Sequence, residues 1–303
     1  MLLRTIFVLF LSTLAASQNA TLAKVLAENN IPSRGLPSSA ISQNITSFAV
    51  LNDSDRFVIG YYVEHGNSLD APLWIRVFNK HSSRWQSLAF GTEVANDQQS
   101  TLCLGSVLAI KSLAGNLLVE THINPSASCT IIFSPQLKLR SLLWGWVIAK
   151  MDRDTVLVEH NQIHFAPTHP LELDLYEIST NRLTKLYPPA QDRIREDFMH
   201  DLEDNVTDDW CRQENAACNP EEFETYLEGD PIFNAGTSAL AFTTVFNSLG
   251  YGPKAEQVVG DRKVIYIFRK TRVGWDYRQF WADRFPTPLA DAVKAPALDT
   301  FFH

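Results

Sequence analysis

The chain has 303 residues, is 45% hydrophobic and carries a formal net charge of −8. That is ample apolar material for one large domain or two small ones. Lys and Arg are nowhere gathered into the basic stripe that phosphate neutralisation requires, so no nucleic-acid partner is expected, and the acidic balance reads as a solvated surface.

At the N-terminus a single basic residue, Arg4, precedes an almost wholly apolar run from Thr5 to Ala16 that ends in the small residues Ala15, Ala16 and Ser17. This is the build of a secretory signal peptide. Polar Gln18 and Asn19 follow at once, and the run falls short of the about 20 apolar residues a membrane span needs. Residues 1–17 are therefore expected to be removed, leaving a secreted or periplasmic soluble protein without stable membrane insertion. N-glycosylation acceptors stand at Asn19, Asn44, Asn52 and Asn205, which makes a glycoprotein one reading.

Residues 18–43 form a leader: a short amphipathic stretch over 21–29, stopped by Pro32, then a Ser/Gly/Pro-rich segment. From residue 44 to 285 the pattern is strand-like, with short runs of β-branched and aromatic residues set between turn residues. The runs fall into groups of four: 47–51, 56–64, 73–78 and 85–90; then 104–111, 116–122, 129–133 and 137–140; then 143–149, 155–160, 171–178 and 182–187. A weaker fourth group covers 231–234, 239–246, 263–270 and 275–280. Units of about 40 to 50 residues with four strands each are the signature of propeller blades. The first three groups share a marker at the end of the second run: Val63-Glu64-His65, Val119-Glu120-Thr121-His122 and Val158-Glu159-His160.

Before the last group the pattern changes. Ile194, Phe198 and Leu202 recur every fourth residue, with Asp192 placed to cap the start, so one amphipathic helix is expected over 192–204. An acidic insertion follows, and helix and insertion together occupy about 190–230. The tail, 286–303, is rich in Pro and Ala and is expected to lack regular structure. The fold class is thus all-β and propeller-like, with about four blades, one helix and a disulfide-stapled insertion; a β-sandwich is the alternative.

The four cysteines, Cys103, Cys129, Cys211 and Cys218, allow three pairings. Nearest-neighbour pairing, Cys103 with Cys129 and Cys211 with Cys218, is expected because each pair falls inside one local segment. There is no C-x-x-C pair to suggest a zinc site, and no cofactor or metal is called for.

The segments Cys103-Leu-Gly-Ser-Val-Leu108, His122-Ile-Asn-Pro-Ser-Ala-Ser-Cys129, His164-Phe-Ala-Pro-Thr-His-Pro170 and Leu186-Tyr-Pro-Pro189 resemble exported bacterial proteins that carry no assigned activity. The resemblance spans most of the mature chain and brings no catalytic residues with it. At fold level the repeats resemble a small β-propeller, an architecture that hosts binders and enzymes alike.

No nucleophile elbow, zinc-protease helix, P-loop or dinucleotide fingerprint occurs. The chemistry-bearing residues that do concentrate are histidines. If the second strands of the blades end on one face, His122, His160 and His164 gather there with Glu120, which precedes His122 by two residues and so shares its side of the strand. Two functions remain open: an exported binding module that presents a loop-lined face to a glycan, small ligand or extracellular protein, or an extracellular hydrolase or lyase with a histidine-centred site. The tryptophans and tyrosines, Trp146 and Tyr266 among them, could make a sugar-stacking surface on an exported protein, but most are expected in the core, where such side chains are favoured in strands.

Overall fold

The computed structural model describes residues 21–36, 48–62, 72–91, 103–124, 127–160, 171–190, 192, 223–251 and 256–302. Among these residues sixteen strands form four antiparallel sheets of four. In each sheet every strand pairs with its sequence neighbour, so each is a meander, the unit of a propeller blade. The fold is all-β and propeller-like, with one sheet for each group of runs. The chain divides into two compact units, Met1–Trp144 and Gly145–His303.

In the first unit, sheet one holds β1 (Phe48–Asn52), β2 (Arg56–Tyr62), β3 (Leu73–Asn79) and β4 (Arg84–Phe90). Sheet two holds β5 (Ser106–Leu113), β6 (Asn116–Asn124), β7 (Ala127–Phe133) and β8 (Leu139–Trp144). Because β2 is apolar at successive positions, sheet one has two faces to bury. One carries Val58, Ile75 and Val77 and packs on Val107, Ile110, Val119 and Ile131 of sheet two, with β1 beside β5. The other carries Phe57, Ile59, Tyr61 and Phe78 and is covered by Leu22, Val25 and Leu26 of helix α1 (Leu22–Glu28).

A helix of seven residues is not stable alone in water. Those three side chains, each contributing about 1.5–3 kcal/mol when fully buried, hold it to the sheet. Thr21 caps it, accepting the Lys24 N–H at 3.4 Å, and Trp85 Nε1 donates to the Pro32 carbonyl at 3.0 Å. Residues 21–36 of the leader are therefore packed on sheet one.

The Cys103–Cys129 disulfide is present, with both residues fully buried beside β6. Thr121 Oγ1 donates to the Cys103 carbonyl at 2.9 Å and lies 3.3 Å from that of Cys129.

In the second unit, sheet three holds β9 (Trp146–Lys150), β10 (Thr155–Glu159), β11 (Leu173–Glu177) and β12 (Arg182–Tyr187). Sheet four holds β13 (Phe223–Asn234), β14 (Ala239–Tyr251), β15 (Glu256–Lys270) and β16 (Trp275–Trp281). Leu157, Leu173 and Leu175 pack on Phe242, Tyr266 and Phe268, with β9 beside β13. The other face of sheet four, Ala239, Ala241, Ile265 and Ile267, is covered by Val293, Leu298 and Phe302. These come from the tail, which forms helices α2 (Leu289–Ala292) and α3 (Ala297–Phe302).

Three expectations are corrected. The tail is structured, because its apolar residues meet a sheet face of small and β-branched side chains that nothing else covers among the described residues; Arg269 and Arg278 also lie over the Phe302 ring, at 4.2 and 4.9 Å from its centroid. The last part of the expected insertion is strand, since β13 begins at Phe223; Gly229-Asp230-Pro231, turn residues by type, are absorbed as a break in register between Glu228 and Ile232. The boundary between sheets two and three falls at Gly145 and not before Leu143, so Leu143 and Trp144 end β8. The signal peptide, the helix over 192–204 and the Cys211–Cys218 staple lie outside the described residues.

The Cys103–Cys129 loop spans a sequence separation of 26, for which chain entropy predicts a contribution of about 3.5 kcal/mol. Replacing both cysteines by alanine is expected to lower the unfolding free energy by about that amount, as measured by urea titration of the folded double variant.

Candidate functional site

Since each sheet uses its faces for packing, the strand ends are where side chains can meet a ligand. The richest set lies where β9, β10 and β11 come together at one end of sheet three. Trp146 stands directly opposite Glu159 in the β9–β10 ladder, and its indole Nε1 donates to Glu159 Oε2 at 3.1 Å. The residue is 41% exposed although tryptophan is on average highly buried.

Gly145 permits the approach of the two strands. A Cβ there would lie 1.9 Å from the Glu159 carbonyl oxygen, and the residue sits at φ +124°, a backbone conformation other residues rarely adopt. Glu159 is half-buried, and burial pushes its carboxyl above the ordinary range against the opposing effect of the Trp146 bond. Its second oxygen has no hydrogen-bond partner among the described residues.

His160 follows, and its side chain leaves the opposite face of the sheet. Its Nε2 lies 2.7 Å from Asp174 Oδ2, and its backbone N–H donates to the Glu172 carbonyl at 3.0 Å. The bond to Asp174, outweighing desolvation, raises the imidazole above its ordinary value. Glu172 in turn accepts from Lys185 Nζ of β12 at 2.8 Å.

Of the other expected members, Glu120 and His122 lie on β6 in the first unit, and His164 lies outside the described residues. Glu120 is buried and accepts from Lys111 Nζ at 2.6 Å. His122 is half-buried and pairs across the ladder with Ser106 and Ser128. The expected equivalence of His122 and His160 is corrected by the register. Val107 pairs with Thr121 and Val147 with Val158, each beside a bulge at the next residue. A Cβ on Gly105 would likewise strike the His122 carbonyl, at 2.2 Å. His122 therefore corresponds to Glu159 and His160 to Ile123: the shared letters are offset by one residue, and in a strand that offset changes the face.

Two functional candidates went unmarked by the histidine pattern. Trp146 is the counterpart of Ser106 in a repeat, Gly105-Ser-Val-Leu-Ala109 and Gly145-Trp-Val-Ile-Ala149, whose replacement of a small polar residue by an indole was the available signal. Asp174 belongs to the alternating Leu171-Glu-Leu-Asp-Leu175, which sets two carboxylates on one side of β11.

A separate polar cluster lies in the core between sheets three and four. Tyr266 donates to Asp192 Oδ2 at 2.5 Å, and Tyr187 meets the Tyr266 ring edge-on at 5.0 Å between centroids. Burial first, then Tyr187 and Asp192, hold the Tyr266 phenol far above its ordinary range. Asp192, expected at a helix start, is thus bonded into the core. Among the described residues no group of three or more His, Cys, Asp or Glu is placed to hold a metal ion.

No protein-family model and no curated protein matches the sequence. Among solved structures, the crystal structure of a thermostable family-43 glycoside hydrolase aligns with 82% of this chain and 78% of that chain, at 10% sequence identity and a TM-score of 0.28.

The raised His160 contributes stability that is fully present below the unfolded imidazole value, about 6.5, and is lost as pH rises through the higher folded value. The destabilisation caused by His160→Gln is therefore expected to be larger near pH 5.5 than near pH 9, as read from paired thermal melts; an equal loss at both pH values would contradict the ion pair.

Proposed function

We propose that the protein is an exported binding module that takes a saccharide at the Trp146–Glu159 strand end. The observation that carries this reading is an exposed indole pinned by a carboxylate whose other oxygen has no hydrogen-bond partner among the described residues. The C–H face of a sugar ring is complementary to the negative face of an indole, and a carboxylate oxygen beside it accepts hydroxyl hydrogen bonds that fix orientation. Neither group needs to reorganise, because Gly145 and the β9–β10 ladder already hold them in place.

Export is supported by the basic-then-apolar start at Arg4 to Ala16 and by the buried Cys103–Cys129 disulfide, since such bonds persist in oxidising compartments. Among the described residues no helix is long and apolar enough to cross a membrane. Binding is favoured over glycoside hydrolysis by the placement of the three carboxyls at this end, of which Glu172 is engaged by Lys185. Hydrolysis needs a pair flanking one bond, whereas Glu159 shares its side of the sheet with Leu157 and Leu173, and Asp174 shares the other with Val158 and Tyr176.

The test is a glycan array probed with the mature chain, residues 18–303, and with Trp146→Ala. The wild type is expected to bind a defined set of glycans, and the variant to lose about tenfold or more in affinity, equivalent to about 1.4 kcal/mol, with its melting temperature nearly unchanged. Equal binding by both proteins, or no binding to a broad array, would refute the assignment.

A further inference from the structure

Residue 160 is held to β11 by two bonds of different kinds. Its backbone N–H donates to the Glu172 carbonyl, and its imidazole meets Asp174, a buried carboxylate. From the β9 side the same short stretch of backbone is gripped by Gly145: a Cβ there would lie 1.9 Å from the Glu159 carbonyl and 3.0 Å from the His160 Cα. Glu159 and His160 are thus clasped between two neighbouring strands, with the carboxyl of one directed to Trp146 and the imidazole of the other to Asp174. A shift of His160 against β11 cannot be absorbed at Gly145, where the fit is already tight, and so passes to Glu159.

We propose that His160 is a positioning residue for the Trp146–Glu159 site, its bridge to Asp174 setting the attitude of the Glu159 carboxyl and so tying ligand binding to pH. This rests on the saccharide-binding reading for its ligand, but the coupling itself does not need one. Among the described residues the charged and titratable groups acting on the imidazole are Asp174 and Glu172 from the β11 side and Lys185 from β12; Glu159 precedes it in the chain and faces the other side of the sheet. Lys185 is engaged by Glu172, which leaves Asp174 as the group that responds most directly to the imidazole proton.

With His160 charged, the bridge is an ion pair with a charge-assisted hydrogen bond, roughly twice as strong as a neutral one. When the proton leaves the imidazole, the bridge loses its charge assistance, and the clasp loosens. Binding is therefore strongest on the acid side of the His160 titration and weakens as pH rises through it. The raised imidazole agrees with this direction.

The test uses Trp146 as its own reporter. The difference in emission between wild type and Trp146→Phe, recorded against pH without ligand, isolates this indole. It is expected to titrate with a midpoint above about 6.5, to do so still in Glu159→Gln, and to become flat through that range in His160→Gln. Asp174→Asn, which keeps the imidazole and removes the charge, is expected to move the midpoint down toward the ordinary imidazole value; this arm decides the matter should His160→Gln fail to fold. A Trp146 signal that does not change through this range in the wild type, or whose midpoint is unmoved by Asp174→Asn, would overturn the proposal. Neither result depends on whether a glycan is bound, so failure of the coupling and failure of the saccharide reading are separable.

Discussion

A four-stranded sheet that is apolar on both faces cannot bury itself, and the arrangement of each unit follows from that constraint. Sheet one needs a cover for Val58 and Ile75 and another for Phe57 and Ile59; it finds the first in sheet two and the second in helix α1. Sheet four has the same need, met by sheet three on one side and by helices α2 and α3 on the other. Residues 21–36 of the leader and the tail, compositionally the least sheet-like parts of the chain, thus cap the second apolar faces of sheets one and four. With faces committed to packing, the strand ends are left for chemistry, and the exposed indole of Trp146 stands at one of them.

A second constraint, close backbone approach, decides which side chains arrive there. Gly105 and Gly145 each sit against a carbonyl of the second strand of their sheet, at distances no Cβ could tolerate. Each is followed by the same bulged register. The repeat is therefore real at the level of backbone, while the side chains built on it differ: Ser106 and His122 face each other in sheet two, Trp146 and Glu159 in sheet three. One scaffold position thus carries a serine–histidine pair in sheet two and an aromatic–carboxylate pair in sheet three.

Much of the fold was legible because alternation and turn residues survive in a single sequence. The four groups, the amphipathic helix in the leader and the Cys103–Cys129 bond follow from local pattern. What was not legible depended on partners distant in sequence. The tail looked irregular until Leu298 and Phe302 met Ile265 and Ile267, and Gly229-Asp230-Pro231 looked like the end of an insertion until β14 paired on both sides of it. The site shows the same division. His160 drew notice by its letters, but the carboxylate that governs it, Asp174, is recognised only through the β10–β11 register. The match of His160 to His122 dissolved once a bulge shifted one ladder by a residue. Trp146 is one of several aromatics whose composition fits a core and a sugar-stacking surface alike, and its exposure at a strand end decides between the two.

The measurement closest to the central claim is the nuclear magnetic resonance signal of the Trp146 indole N–H, followed while a bound saccharide is titrated into the isotopically labelled protein. If the ligand seats on this ring and on the open oxygen of Glu159, the Trp146 resonance should shift progressively and saturate with the same dissociation constant as binding measured independently. A Trp146 resonance that stays in place while signals elsewhere move would locate the binding surface on another part of the molecule.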